Sequence, residues 1–276
     1  MIEPLTPVVE LQSRLGRVGS IQAWDPWRSR QSVAHAKWWV SKIASLSYGN
    51  DAAKNPEALF QSIVDRGHLS CLEFVPMLEN DEFGLDTLQR ALPVQSLRAL
   101  GSFLPDVLSS PHFWGEGKRL QEERKLLAST EYSPTSASAF LVECPLYIRS
   151  QWMRHRSFSY LEMSRRYTKG TKVEWEFYGD SPIGETDGRL EPVEASPDQQ
   201  CFWGTCEAEY QRRLDAGWPN EIARGCMPVE AMTRFWCAGF DRDWDAFCKL
   251  RQDPHAQPEI RVFADWIREQ IGHGPF

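Results

Sequence analysis

The chain has 276 residues, 42% of them hydrophobic and 25% charged, which argues against a disordered chain and predicts an ordinary globular protein. Its formal net charge of −7 argues against a broadly basic surface that would bind nucleic acid non-specifically. We find neither an apolar run of about 20 residues nor a signal-peptide pattern, and therefore expect a cytoplasmic protein that does not enter a membrane.

The first predicted element is a helix in the stretch "NPEALFQSIVDRGH", residues 55–68. Asn55 suits the N-cap, Pro56 suits the first helical position and Gly67 marks the end. Apolar residues at helical spacing form one face of this helix, and they are Leu59, Phe60, Ile63 and Val64.

Residues 79–136 differ from the rest of the chain in composition. The segment has an acidic start, an amphipathic stretch at 88–104 and a polar end. Because Pro93 interrupts the amphipathic stretch, we expect two short helices there instead of one. We interpret 79–136 as an insertion within a single domain that covers 1–276, acting as a mobile cover or a subunit contact.

The second half of the chain is predicted to contain two strands and three helices. β-Branched and aromatic residues predict strands at 139–148 and 172–178. Helical spacing predicts helices in "DQQCFWGTCEAEYQRRLDAG", "DRDWDAFCKLRQD" and "QPEIRVFADWIREQI". In the first of these, the residues at helical spacing are Phe202, Cys206, Tyr210 and Leu214. The last begins at Pro258, and its inward-facing residues are expected to be Ile260, Phe263, Ile267 and Ile271.

A basic cluster, "RHRSFSYLEMSRRYTK" at 154–169, stands out in this acidic chain. It carries five positive charges against the single negative charge of Glu162. On an extended segment Arg154 and Arg156 would share a face, and guanidinium groups bind phosphate oxygens through a planar fork. The cluster thus indicates a local anion site for a diphosphate or nucleotide, although a solvated charge run is the plain alternative.

Two further interpretations of this region come from its aromatic residues and from the cysteines of the chain. Phe158, Tyr160 and Tyr167 could stack bases in a nucleic-acid-binding module, but the flanks lack the basic residues that such a surface needs. The seven cysteines include no C-x-x-C pair, so we expect reduced structural thiols and neither disulfides nor a metal site.

The spacing R-H-R, seven residues, then Ser resembles the signature of the flavin-dependent thymidylate synthases. Three further stretches resemble that family in the same order: "RGHLSCLEF" at 66–74, "GWPNEIARGCMPVEAMTRF" at 217–235 and "LRQDPHAQPEI" at 250–260. The residues that match the extended signature are Arg154, His155, Arg156, Ser159, Glu162, Ser164, Arg166 and Tyr167.

This resemblance implies an α/β (α+β) fold in which mixed helices surround a small, mainly antiparallel sheet. It also implies a homotetramer with sites shared between subunits, and no nucleic-acid partner. The implied reaction passes the methylene group of methylenetetrahydrofolate, a reduced folate, to C5 of dUMP. FAD is the implied hydride donor and NADPH its reductant.

The resemblance also implies roles for particular residues. The implied cofactor-binding residues are Ser70, Arg154, His155, Arg156, Glu162 and Arg242. The implied substrate-binding residues are Gln151, Glu162, Ser164, Arg165, Arg166, Arg224 and Arg251. Arg251 would also act catalytically as a fixed cation against the pyrimidine ring, and His68 would lie near the flavin and the folate.

The chain departs from the family pattern at five positions. Leu161 and Phe240 stand where the family has asparagine, Phe74 stands in place of a histidine, Ala246 in place of a second flavin-site asparagine, and Ser150 in place of an arginine. These departures leave two alternatives open: an enzyme that modifies UMP or another pyrimidine nucleotide, and a nucleotide-binding paralogue without catalysis.

Overall fold

The structure is a computed structural model that describes residues 2–13, 16–26, 33–66, 69–74, 137–164, 166, 183–186, 189–192 and 197–271. The predicted insertion at 79–136 and the predicted strand at 172–178 lie outside these residues.

The centre of the fold is a five-stranded sheet in the order β1-β2-β3-β7-β4, with every neighbouring pair antiparallel. A separate two-stranded sheet pairs β5 with β6. The predicted α+β class with a mainly antiparallel sheet is confirmed, but of the strands in the described residues only β3 was predicted. The strands are β1 Val9–Ser13, β2 Gly16–Trp24, β3 Ala137–Pro145, β4 Ser159–Glu162, β5 Ile183–Thr186, β6 Arg189–Pro192 and β7 Met232–Phe240.

Helices cover both faces of the five-stranded sheet. Short 3-10 segments at Leu46–Tyr48, Leu69–Phe74 and Arg224–Cys226 join some of them. The α-helices in the described part of the chain are α1 Val33–Ser45, α2 Pro56–Asp65, α3 Leu146–Trp152, α4 Pro197–Asp215, α5 Asn220–Ala223, α6 Asp241–Arg251 and α7 Pro258–Ile271.

One face of the sheet packs against α1 and α2 through a tryptophan cluster. Trp24 of β2, Trp39 of α1 and Trp236 of β7 have ring centroids 5.3 to 5.6 Å apart. Trp39 is anchored further, since its indole N–H donates to the carbonyl of Phe74 at 3.0 Å. Because side chains alternate along a strand, the next residue, Cys237, lies in the core on the opposite face.

That opposite face packs against α3, α6 and α7 and carries the larger aromatic core. Trp152 at the end of α3 is fully buried, with its ring 4.5 Å from that of Phe247 and 5.9 Å from that of Phe263. Phe158 stacks on Trp244 of α6 with centroids 4.1 Å apart. This core fixes the end of α3, the following turn and α6 relative to one another.

Two helix predictions are confirmed in detail. Helix α2 begins at Pro56, and the side chain of Asn55 caps it by accepting the N–H of Ala58 at 3.1 Å. Helix α7 begins at Pro258 and buries Ile260, Phe263 and Ile267 completely, while Ile271 is half-buried.

Three local predictions were wrong. The strand predicted to run to residue 148 ends at Pro145 because proline cannot donate to the sheet, and α3 begins there instead. In α4 the buried aromatic residues are Trp203 and Tyr210, two helical turns apart, and Phe202 is 54% exposed. Residues 153–158 form turns after α3 and not the extended segment that we considered for the arginines.

Candidate active site

The R-H-R signature lies on the turn that joins α3 to β4. The hydroxyl of Tyr160, which rises from β4, lies 2.5 Å from the carbonyl of Trp152 and 3.0 Å from that of His155, bridging both ends of the turn. Burial raises the pKa of Tyr160, so the phenol keeps its proton for these contacts. The backbone between the two arginines is therefore held in one conformation by a buried hydroxyl.

The last residue of α6, Arg251, connects this turn to α3. Its Nε donates to Nε2 of His155 at 2.9 Å, and its Nη2 donates to the carbonyl of Gln151 at 2.9 Å. A longer contact of 3.4 Å joins Nη1 to the side-chain oxygen of Gln151. Arg251 therefore joins two predicted site residues that lie 96 and 100 positions before it, His155 and Gln151, in one hydrogen-bonded cluster.

This cluster sets the protonation of His155. Burial and the positive charge of Arg251 lower the pKa of His155 to about 4, so the imidazole is neutral at pH 7. Because Nε2 accepts from Arg251, the remaining ring proton must lie on Nδ1. The pKa of Arg251 is itself lowered, mainly by burial, although an arginine keeps its charge at any physiological pH.

Two polar contacts tie α3 to the start of α7 behind the cluster. The amide Nε2 of Gln151 donates to Oε1 of Gln257, which leaves the Gln151 oxygen facing Arg251. One turn earlier on α3, the hydroxyl of Tyr147 lies 3.1 Å from Oε1 of Glu259, a side chain that is only 2% exposed. The orientation of the Gln151 amide thus follows from a partner that lies directly before α7.

Glu162, at the end of β4, is held by two donors. Its Oε1 accepts from Nε of Arg149 at 3.0 Å and from the hydroxyl of Thr233 at 2.8 Å. Arg149 comes from α3 and Thr233 from β7, so the carboxylate joins three elements of the fold.

The predicted phosphate-binding arginines are exposed. Within the described residues, neither Arg154 nor Arg156 forms an ion pair, which leaves both guanidinium groups available to an anion. Arg166 and Arg224 are exposed as well, and the side-chain amide of Asn220, one turn before Arg224, donates to the carbonyl of Arg166 at 3.2 Å. This contact brings the start of α5 to the end of the basic cluster.

The two predicted serines differ in their surroundings. Ser164 is half-buried, and its backbone N–H donates to the carbonyl of Ser47 at 3.2 Å. Ser70 is exposed on the 3-10 segment that packs against α1 and β4. Two departures from the family pattern are explained by packing, because Phe74 is fully buried and Leu161 is 8% exposed in the tryptophan-rich core.

Three predicted residues cannot be placed by their side chains. His68 and Arg165 lie outside the described residues. Arg242 belongs to α6, but its side chain, like that of Phe240, is outside the described part. Their roles remain predictions.

All seven cysteines are free thiols. Burial raises the pKa of Cys144 and Cys237, and it raises the pKa of Cys248 to about 11. These three thiols are therefore protonated at neutral pH and are not prepared as nucleophiles.

The sequence reasoning missed four residues of the site. Arg149 and Thr233 carry no recognisable motif of their own, and Tyr160 was weighed only as a stacking residue. Gln257 is the last residue of the L-R-x-D-x-H-A-Q run at 250–257, and its place in that run is the one sequence feature that indicated a role in the site.

The family is decided by a match to the family model described as thymidylate synthase complementing protein, which covers residues 123–273. The chain belongs to this family. The matched range contains the R-H-R turn, Glu162 and Arg251, whereas the stretch at 66–74 lies before it.

Named relatives are similar to part of the chain. The flavin-dependent thymidylate synthase of Aquifex aeolicus is 34% identical over 150 residues, which cover 49% of this chain and 45% of the relative. The enzyme of the same name from Thermotoga neapolitana is 36% identical over 127 residues, covering 45% of this chain and 56% of the relative. The chain thus spans about half the length of these curated relatives.

Among solved structures, a UMP/dUMP methylase PolB from Streptomyces cacaoi bound with 5-Br dUMP is 25% identical to this chain. The alignment covers 62% of this chain and 83% of that one, with a TM-score of 0.41.

Two other kinds of site were sought in the described residues. They contain no group of three or more His, Cys, Asp or Glu side chains arranged to hold a metal ion. Among the described helices, none combines the length and the apolar character required to cross a bilayer.

Proposed function

We propose that this protein methylates C5 of a pyrimidine nucleotide, with dUMP as substrate, dTMP as product and methylenetetrahydrofolate as one-carbon donor. Membership of the thymidylate synthase complementing family supports the reaction class. The observation that carries the proposal is the cluster of Arg251, His155 and Gln151 beside a turn whose two arginines form no ion pair within the part of the chain that the structure describes.

The R-H-R turn suits the phosphates of FAD. Arg154 and Arg156 are exposed and without ion pairs in the described residues, and paired guanidinium groups bind a diphosphate with charge and geometry together. A neutral His155 adds a hydrogen-bond donor at Nδ1 without a further charge. When bound, reduced FAD would supply the hydride, and NADPH would reduce it again.

The nucleotide would bind across the segments that follow the turn. Arg166 and Arg224 would hold the phosphate, with Arg165 beside them, and Ser164 would donate a hydrogen bond. Gln151 would contact the base through its amide.

Arg251 would contribute to the reaction through its positive charge. In the reaction, C5 would form a bond to the donor methylene carbon and lose its hydrogen as a proton. The bonds from that carbon to the folate nitrogens would break and release tetrahydrofolate, and a hydride would convert the methylene to methyl. A fixed guanidinium beside the ring stabilises the charge that develops when C5 acts as a nucleophile. No thiolate is required, which agrees with the protonated state of the buried cysteines.

The resemblance also supports a cytoplasmic homotetramer that shares its sites between subunits.

Two alternative functions can be distinguished from this proposal by one experiment. They are an enzyme that prefers UMP, and a paralogue that binds nucleotide without turnover.

The test is product analysis by mass spectrometry after incubation with FAD, NADPH, methylenetetrahydrofolate and either dUMP or UMP. We expect dUMP to be converted to a product heavier by one methylene group. We also expect Arg251→Ala to slow turnover on the order of 100-fold, in line with loss of one preorganised charge. Arg212→Ala, which removes an exposed i,i+3 ion pair on α4, is the matched control.

Three results of the product analysis and of FAD binding would change this proposal. Conversion of UMP in preference to dUMP would replace the substrate. Nucleotide binding without any product under reducing conditions would show a non-catalytic paralogue, and a folded protein that takes up no FAD would overturn the proposal.

A further inference from the structure

We propose that Arg149 and Thr233 are positioning residues that hold Glu162 by one oxygen and leave its second oxygen for the nucleotide. This inference rests on the proposed function, because the ligand of that second oxygen is a hydrogen-bond donor of a pyrimidine nucleotide.

The contacts are asymmetric. Both donors, Nε of Arg149 at 3.0 Å and the hydroxyl of Thr233 at 2.8 Å, contact the same oxygen, Oε1 of Glu162. Among the described residues, Oε2 has no hydrogen-bond partner. A carboxylate can accept about four hydrogen bonds, so the arrangement turns an unused acceptor away from its two holders.

The fold makes this arrangement rigid. Thr233 is 3% exposed on β7, and β7 pairs with the strand that ends at Glu162. A β-branched side chain in a strand has restricted rotamers, which fixes the direction of the hydroxyl. The side chains of Arg149 and Glu162 are 25% and 24% exposed, so water screens their pairing less than it would on an open surface.

Arg149 lies next to one departure from the family pattern, Ser150, but points in another direction. Ser150, which stands where the family commonly has arginine, is exposed and its hydroxyl donates to the carbonyl of Leu146 at 2.8 Å. Successive residues of a helix point about 100° apart, so an arginine at 150 would not share the direction of residue 149. Arg149 is the α3 residue whose guanidinium group contacts Glu162.

The ligand of Oε2 follows from its chemistry. A carboxylate oxygen only accepts hydrogen bonds, so its partner must donate one. A pyrimidine nucleotide offers sugar hydroxyl groups and the ring N3–H group, and either would be bound by the same oxygen. Glu162 then contributes to affinity for the nucleoside part and not to affinity for the phosphate.

The test compares dUMP dissociation constants by titration calorimetry for the wild type, Arg149→Leu, Thr233→Val and Thr233→Ser. We expect Arg149→Leu and Thr233→Val each to weaken dUMP binding about tenfold, the size that one charge-assisted hydrogen bond supports. Thr233→Ser keeps the hydroxyl and should bind dUMP nearly as tightly as the wild type. Because the resemblance assigns Glu162 to the cofactor as well, FAD affinity is measured in all three variants, and we expect it to change less than dUMP affinity.

A double-mutant cycle separates positioning from a general structural effect. If Arg149 acts through Glu162, adding Arg149→Leu to Glu162→Gln should produce little further loss of dUMP affinity. Losses that add in full, or equal weakening by Thr233→Val and Thr233→Ser, would overturn the positioning roles. A wild-type protein that binds neither dUMP nor UMP would instead defeat the proposed function, and the present inference with it.

Discussion

At the scale of single residues, the direction of each hydrogen bond around Arg251 determines what its neighbours can do. Arginine only donates, so His155 must accept at Nε2 and Gln151 must turn its oxygen toward the guanidinium group. The amide nitrogen of Gln151 then faces Gln257, whose side-chain oxygen accepts one of its two hydrogens. The neutral form of His155 therefore follows from its burial and from the charge of this partner.

This protonation state predicts how stability depends on pH. The pKa of His155 is about 4 in the folded protein against 6.5 for an ordinary histidine, so the unfolded chain takes up the proton first as pH falls. Protonation then favours unfolding, and the loss of stability should begin below pH 6.5 and grow down to about pH 4. We expect the melting temperature of the wild type without ligands to fall more steeply over this range than that of His155→Gln.

The measurement is a series of thermal melts between pH 7 and pH 4.5. Gly204→Ala, an exposed substitution on α4 that changes no titratable group, is the control and should run parallel to the wild-type curve. Parallel curves for the wild type and His155→Gln would contradict the assignment.

At the scale of elements, the sequence predicted those helices and strands whose residues carry their own signals. Asn55 and Pro56 mark the start of α2, and Pro258 marks the start of α7, because capping and a fixed backbone angle act locally. On the predicted face of α4, Tyr210 is buried but Phe202 is not, since Phe202 and Trp203 are both apolar and only tertiary contacts decide which is buried. The turn after α3 was also not predicted, because the buried Tyr160 hydroxyl that holds it comes from the next strand.

One glycine of β7 is required by this packing. A Cβ at Gly239 would lie 2.2 Å from Cδ1 of Phe158, a ring that is 3% exposed and stacked on Trp244. Since the ring cannot move without disturbing the core, we expect Gly239→Ala to lower the free energy of unfolding by about 1–3 kcal/mol. Phe158 lies two residues after Arg156, so FAD affinity should fall as well.

Gly204 provides a matched control for that substitution. It is exposed on α4 with nothing within 4 Å of an added Cβ, so Gly204→Ala should stabilise the protein by about 0.5–1 kcal/mol. Urea unfolding of both variants measures the difference. A Gly239→Ala protein as stable as the wild type would show that the aromatic core around α6 is loosely packed.

At the scale of the whole molecule, the sheet assembles the site from distant parts of the chain. Gln151 and Arg251 are 100 residues apart, and Glu162 is 71 residues from Thr233. The family resemblance assigned Gln151, Glu162 and Arg251 to one site because their motifs carry that information. It could not assign Arg149 or Thr233, whose part in the site depends on the pairing of β4 with β7 and on the direction of one residue of α3.

We propose that this protein replaces the hydrogen at C5 of a pyrimidine nucleotide with a methyl group, in a reaction that depends on flavin. The most direct measurement uses dUMP with tritium at C5 and counts the tritium released to water, with and without FAD, in the presence of NADPH and methylenetetrahydrofolate. We predict release that requires FAD, matches the amount of methylated product and falls on the order of 100-fold in Arg251→Ala. Release that is independent of FAD, or methylated product that retains its tritium, would contradict the account.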